Sequence, residues 1–332
     1  MSIATPALLY GNRMKLAVLL AVLALSQALM AVLLAETIDQ LHGGGTLLGW
    51  PMLPVAAGLT GLAGLALLSE RWAGERFAQS FVIDCREALY KAVMRHRGEG
   101  NDARWLTGLV NDMAALRNYA LRGTVRLWTS TLSACGATIW VGLAMPELRL
   151  ALAPLALGVG CMILLTRPLS RAITDQRTQR GRMNRFFVRR VRIAMADLPV
   201  TNGHGYRTLA NHSEELKHLS VRRAVLAGCM SAAIAVSGLL ATLIVATQAV
   251  ASGTVASIAG SLTLIAFISG RLMETSRALH ARIGGGIALA RLGQMLARPA
   301  KPHSLAQTRP QTTFRASLPK VKDKAGMNEP RI

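Results

Sequence analysis

No GxxxxGK(S/T) phosphate loop occurs anywhere in the 332 residues. The chain therefore lacks the backbone cradle and lysine with which ATP-hydrolysing domains hold phosphates. Its four cysteines, Cys85, Cys135, Cys161 and Cys229, form no CxxC or zinc spacing, which excludes a recognisable zinc site and leaves them as small apolar packing residues. No Ser/His/Asp constellation stands out. His212, Glu215 and His218 have an H-x-x-E-x-x-H spacing, but no second Glu-rich helix completes a bundle metal site, so a solvated helix face is expected. Acidic residues are scarce, 17 against 38 Lys and Arg. The middles of the long apolar runs hold no charge, which argues against carriers that move protons or ions through an intramembrane carboxylate.

Apolar sequence is abundant: 52% of the chain is hydrophobic and the mean hydropathy is +0.35, the composition of a polytopic membrane protein. Spans are expected at 16–34, 51–68, 126–143, 150–166, 224–248 and 254–270. The run 16–34 is longer than the ~7–15 residues of a signal-peptide core and no small-x-small site follows, so it reads as a retained first span. With both termini inside, the outer loops near 35–50, 144–149 and 249–253 hold one basic residue, Arg149, and the other 37 of 38 lie on the cytosolic side. This is the positive-inside rule. It assigns the net charge of +21 to membrane topology rather than to nucleic acid binding.

The stretches 69–125 and 167–223 are 57 residues each, charged, and helically periodic nearly throughout. After Pro51, apolar residues recur at Phe77, Phe81, Cys85, Leu89 and Val93, predicting a helix to Arg95 of about 67 Å at 1.5 Å per residue. The hydrocarbon core is only about 30 Å thick, so half of this helix projects into the cytosol. A glycine-rich polar turn at Arg97–Asp102 reverses the chain, and Trp105, Leu106, Leu109, Met113 and Ala120 mark the return. The second excursion goes out through Ile173, Met183, Phe187, Val191 and Leu198, breaks at Pro199–Gly205, and returns through Leu209, His212, Leu216 and Leu219. It carries 13 Lys and Arg against 4 acids. The sixth helix continues past Arg271 to about Ala297, through Gly284-Gly285-Gly286, where each glycine costs about 1 kcal/mol relative to alanine. Those glycines mark a hinge, a close helix crossing or local weakness. Residues 1–13 read as a cytosolic N-terminus, 14–299 as one six-helix unit, and 300–332 as a basic, disordered tail.

Short outer loops, two long helical excursions and the closing stretch Ala290-Arg-Leu-Gly-Gln-Met-Leu-Ala-Arg-Pro299 together resemble the six-helix transmembrane domain of ABC exporters. The resemblance covers about 14–299. Leu109-Val-Asn-Asp-Met-Ala-Ala-Leu-Arg117 is similar to the family's third-helix segment, with Asp112 at its aspartate. Ala196-Asp197-Leu198 through Gly205 stands where the family has its second coupling region, although Asn202-Gly-His-Gly-Tyr-Arg207 replaces the usual Val-Lys pattern.

The resemblance implies an all-α membrane fold in which two six-helix units dimerise, as homodimer or heterodimer. The excursion tips dock on ATPase subunits and pass their closure to the membrane halves. With no phosphate loop, and only 33 residues after Pro299, the chain is expected to be no enzyme by itself. ATP and magnesium would belong to a separate subunit. The coupling contacts implied are Gly98, Glu99, Asn101, Asp102, Arg104, Thr201, Asn202, His204, Tyr206 and Arg207. Candidates for a translocation lining, suited to an amphipathic or lipophilic cargo, are Gln27, Trp128, Thr131, Trp140, Ser237, Thr242 and Ser261. No cofactor or metal is expected on this chain. A bacterial inner membrane is the expected location. Two alternatives are an ATPase-free, proton-driven carrier on the same fold, for which Glu70 and Glu274 are the nearest carboxylates, and a non-transporting regulatory or scaffold membrane protein.

Overall fold

The computed structural model describes residues 6–42, 52–95, 113–195, 202–252 and 258–297. Among them there is no strand. Six long helices follow in order: α1 Asn12–His42, α2 Met52–Arg95, α3 Met113–Ala144, α4 Arg149–Met195, α5 Asn202–Ser252 and α6 Ile258–Leu296. The helix expected from Pro51 to Arg95 is therefore present as α2. α4 and α5 carry the second excursion out and back. Five helices, α1 to α5, are long and apolar enough to cross a membrane. The expected sixth span, 254–270, begins on residues outside the described set. α6 is not among these five, and its apolar stretch meets Arg271 and Glu274 after thirteen residues.

Local chemistry sets the ends. Gly11, at φ +58°, takes the left-handed turn that leads into α1, a conformation open to glycine at little cost. Between α3 and α4 the chain reverses in a 3₁₀ turn, Pro146–Leu148. The proline there fixes φ where no amide donor is needed. Met145 N–H donates to Val141 O at 3.1 Å, and Arg149 Nε donates to Gly142 O at 2.9 Å. α6 starts under Asp39 of α1, whose Oδ1 accepts from the Gly260 amide at 2.8 Å, supplying negative charge to a helix N-terminus. Pro154 and Pro168 lie inside α4 without ending it.

α6 is the shared neighbour. It packs along α3, α1 and α5, while α4 and α5 pair mainly with each other and meet the rest chiefly through α6. Near the α3–α4 turn the core is built from Ala28, Ala31, Val32 and Ala35 of α1, Ala137 and Val141 of α3, Ala151 and Leu155 of α4, Ala241 and Val245 of α5, and Leu264, Ile265 and Ile268 of α6. At the basic end Phe81, Cys85 and Leu89 of α2 meet Met113 and Leu116 of α3 and Leu292 and Leu296 of α6. The hairpin joins α6 through Leu169, Ile173, Met230 and Ile234.

α3 and α6 cross closely. α3 widens to a π-helix over Tyr119–Val125, and a Cβ on Gly123 would come within 2.7 Å of the Arg282 backbone. In return a Cβ on Gly285 would run into Tyr119. The triple glycine is therefore a close helix crossing within a continuous helix, and only its middle residue is buried. Gly123→Ala should destabilise the protein by about 1–3 kcal/mol, because the clash is with backbone. Gly286→Ala, with nothing within 4 Å, should be neutral or stabilising by up to about 1 kcal/mol. Thermal unfolding of both variants in detergent checks the pair.

Candidate functional site

A chain of charged and polar groups joins α1, α2, α3 and α6, with Gln27, Glu70, Thr129 and Arg271 buried and Arg126 and Glu274 partly exposed. Glu70 of α2 is 2% exposed. Its carboxylate accepts from Gln27 Nε2 at 2.8 Å, from Thr129 Oγ1 at 2.9 Å and from Arg126 Nη1 at 3.1 Å. Gln27 turns its other face to α6, where its Oε1 accepts from Arg271 Nη2. Arg271 also donates to Glu274 at 3.1 Å and lies over the Phe267 ring at 5.1 Å. Thr275 Oγ1 donates to Ser130 Oγ at 3.0 Å. Each carboxylate has an arginine and each arginine a carboxylate, the condition under which buried charge is tolerated. At the start of α1, Arg13 is held similarly: it is 3% exposed, 2.7 Å from Asp84 and over the Phe81 ring.

Beside this network, between α3, α4, α5 and α6, opens a cavity of about 620 Å³. Its wall carries Arg122 and Arg126 from α3, Arg177 and Arg180 from α4, Arg223 from α5 and Arg277 from α6, against the one carboxylate of Glu274. Gln176, which is buried, fixes one side of it. Gln176 Nε2 donates to Ser220 Oγ at 2.7 Å and its Oε1 accepts from Arg223 Nη1 at 3.0 Å. Arg223 Nε also reaches His280 Nε2 at 3.3 Å. A guanidinium only donates, so this ring nitrogen accepts and carries no proton. Burial, and then the charge of Arg223, push His280 below its ordinary range, which keeps it neutral at pH 7. Among the described residues, Arg122, Arg180 and Arg277 have neither a hydrogen bond nor an ion pair, and all three are exposed.

The residues expected to line a path do not converge on this cavity; none of the seven is in its wall. Gln27 is buried in the charge network. Trp128 lies by a small apolar crevice with Leu20, Phe77 and Leu132. Thr131 and Trp140 are exposed on α3, and Thr242 and Ser261 are half-buried. Ser237 is buried where α4 and α5 touch, against Gly158. Of the coupling residues, Gly98, Glu99, Asn101, Asp102, Arg104 and Thr201 lie outside the described residues, as does Asp112. Asn202 and His204 begin α5, and Tyr206 and Arg207 are exposed there. His212, half-buried, and Glu215, exposed, both reach Gln179 of α4, while exposed His218 lies beside Glu214; apart from the Gln179 contacts, the expected solvated face is kept. Among the described residues no cluster could hold a metal ion.

The arginine cavity was not anticipated from sequence. The available signal was paired spacing: 122/126 at i,i+4 and 177/180 and 274/277 at i,i+3 each put two charges on one helix face. Nothing in the spacing says that three faces and Arg223 meet. No protein-family model matches the chain, and no curated protein matches it.

Removing the shared acceptor should be severe. Glu70→Ala strands Arg126 and orphans Gln27 and Thr129, for a loss of about 3–5 kcal/mol. Glu70→Gln, which keeps the shape and part of the hydrogen bonding, should lose less. Glu87→Ala, which breaks only an exposed pair with Lys91, should leave the unfolding midpoint unchanged. Detergent-resistant monodispersity and thermal unfolding rank the three.

Proposed function

We propose that the chain is the membrane-spanning subunit of an ATP-driven transporter of the ABC exporter type. It would act as a dimer of six-helix units with separate ATPase subunits, in a bacterial inner membrane. The observation that carries this reading is the length of the paired helices. α2, α4 and α5 have 44, 47 and 51 residues, or roughly 66–77 Å at 1.5 Å per residue. A bilayer core takes up about 30 Å of that. What projects is basic and stiff, and the positive-inside rule puts it in the cytosol, where an ATPase would grip its tips at about 98–105 and 200–207. Two further features support it. α4 and α5 form a hairpin that leans on its own unit chiefly through α6, as expected of helices that reach across to a second unit. The apolar half of α2 is largely uncovered, with Leu53, Leu62, Leu65 and Leu68 all more than half exposed, which suits lipid and a second subunit. In this reading α6 is the sixth span, with Arg271 shielded from lipid by the network. The cargo would be an amphipathic or lipophilic small molecule or peptide.

A proton-driven carrier on the same fold is the second reading, and the buried carboxylate of Glu70 is the observation in its favour. Its contact with Arg126 opposes it, because proton uptake would leave that guanidinium without its counter-charge. Transport that survives ATP depletion and collapses with a protonophore would select this reading.

The deciding experiment is a mild-detergent pull-down of the tagged protein from native membranes with mass spectrometry of what it retains. A phosphate-loop ATPase should be recovered, and lost when 98–105 or 200–207 is altered. Recovery of the chain alone, under conditions that retain the ATPase of a known split transporter, would overturn the assignment.

A further inference from the structure

We infer that the cavity between α3, α4, α5 and α6 binds a phosphate-type anion, as a lipid headgroup or a soluble phosphoester. Three observations converge. First, Arg122, Arg126, Arg177, Arg180, Arg223 and Arg277 face one space of about 620 Å³, with Glu274 the sole carboxylate in its wall. That volume is of ligand-pocket size. Glu274 is itself engaged by Arg271, and Arg126 by Glu70, so both carboxylates near the cavity already have partners. Like charges gathered in one wall repel, and a bound anion relieves that repulsion.

Second, part of the wall is already in place. Buried Gln176 and neutral His280 orient Arg223, while Arg122, Arg180 and Arg277 are unengaged among the described residues and present guanidinium forks from three different helices. Arginine forks match phosphate oxygens two at a time, which is why arginine rather than lysine dominates such sites. Every basic residue in this wall is arginine.

Third, depth fits the ligand. Arg126 and Arg223 immediately precede the apolar runs that begin at Leu127 and Ala224. The cavity thus starts at headgroup level and extends away from the apolar layer through Arg177 and Arg180, ten or more residues past the run that ends at Thr166. Binding of this kind does not depend on ATP-driven transport and stands or falls separately from it.

The test uses the full-length protein, washed of lipid in a neutral detergent, with thermal unfolding as readout. The probes are inorganic pyrophosphate, phosphatidylglycerol in mixed micelles and phosphatidylcholine in the same micelles, with sodium chloride matching ionic strength. A ligand that binds only the native state raises the midpoint in proportion to its occupancy. Phosphatidylglycerol should raise the midpoint and phosphatidylcholine should not. If pyrophosphate does so equally, a soluble phosphate-type anion suffices; if it does not, the acyl chains contribute and a lipid headgroup is the source. Arg180→Gln with Arg277→Gln should weaken the response roughly tenfold or more, the worth of a charge-assisted contact. Arg122→Gln provides a separate single change, and Arg185→Gln with Arg189→Gln, exposed on α4 outside the cavity, should respond as the parent does. No midpoint shift with either anion, or an equal response in the cavity double variant, would overturn the inference.

Discussion

The bundle turns on the burial of Arg271. A guanidinium buried at the end of the apolar stretch of α6 has to be matched, and the match recruits three other helices. Gln27 of α1 accepts from it and passes the other end of its amide to Glu70 of α2, which in turn takes Arg126 and Thr129 of α3. Such a network adds little net stability over an apolar core, but it is intolerant of partial disruption. It therefore fixes the rotation of α1, α2, α3 and α6 about their axes, which apolar packing alone leaves loosely specified.

That constraint bears directly on the cavity. Arg126 belongs to both: it is anchored to Glu70 at one end of its guanidinium and lies in the cavity wall. Glu274 likewise holds Arg271 from the network side and lines the cavity. The charges that order four helices thus also set the floor of the basic space, and the α4–α5 hairpin supplies the opposite wall through Gln176, Arg177, Arg180 and Arg223. Because the hairpin meets the other helices chiefly through α6, any displacement of it relative to α3 would change the cavity width.

Glycine and alanine do the rest of the positioning. Between helices in lipid no hydrophobic force favours contact, so small residues that allow backbones to approach define the interfaces. α1 shows this inversion clearly: Ala24, Ala28 and Ala35 are at most 4% exposed, while Val18, Val22, Leu25 and Leu29 on the other face are each more than half exposed. The α3–α6 crossing relies on the same device, with Gly123 and Gly285 each admitting the opposite helix.

By itself the sequence determined the helical class, the membrane character and the length of α2, while α1 runs on to His42 through residues expected in an outer loop. Apolar runs, charge asymmetry and polar breaks are local properties that a chain carries regardless of how it packs. The extent of α2 from Met52 to Arg95 was legible for that reason, whereas α5 is helical from Asn202, inside the stretch Pro199–Gly205 that was expected to break the chain. Tertiary structure alone decided which face of an all-apolar helix is inside, because periodicity cannot distinguish alanine facing a neighbour from leucine facing lipid. It also decided that Gln27 joins Arg271 to the Glu70–Arg126 pair, at sequence separations of 56 and 244 residues for the links Arg126–Glu70 and Arg271–Gln27. The six arginines of the cavity were each visible as helix-face charges. Their convergence depends on the packing of α3, α4, α5 and α6, a property of the folded bundle that no spacing within one helix encodes.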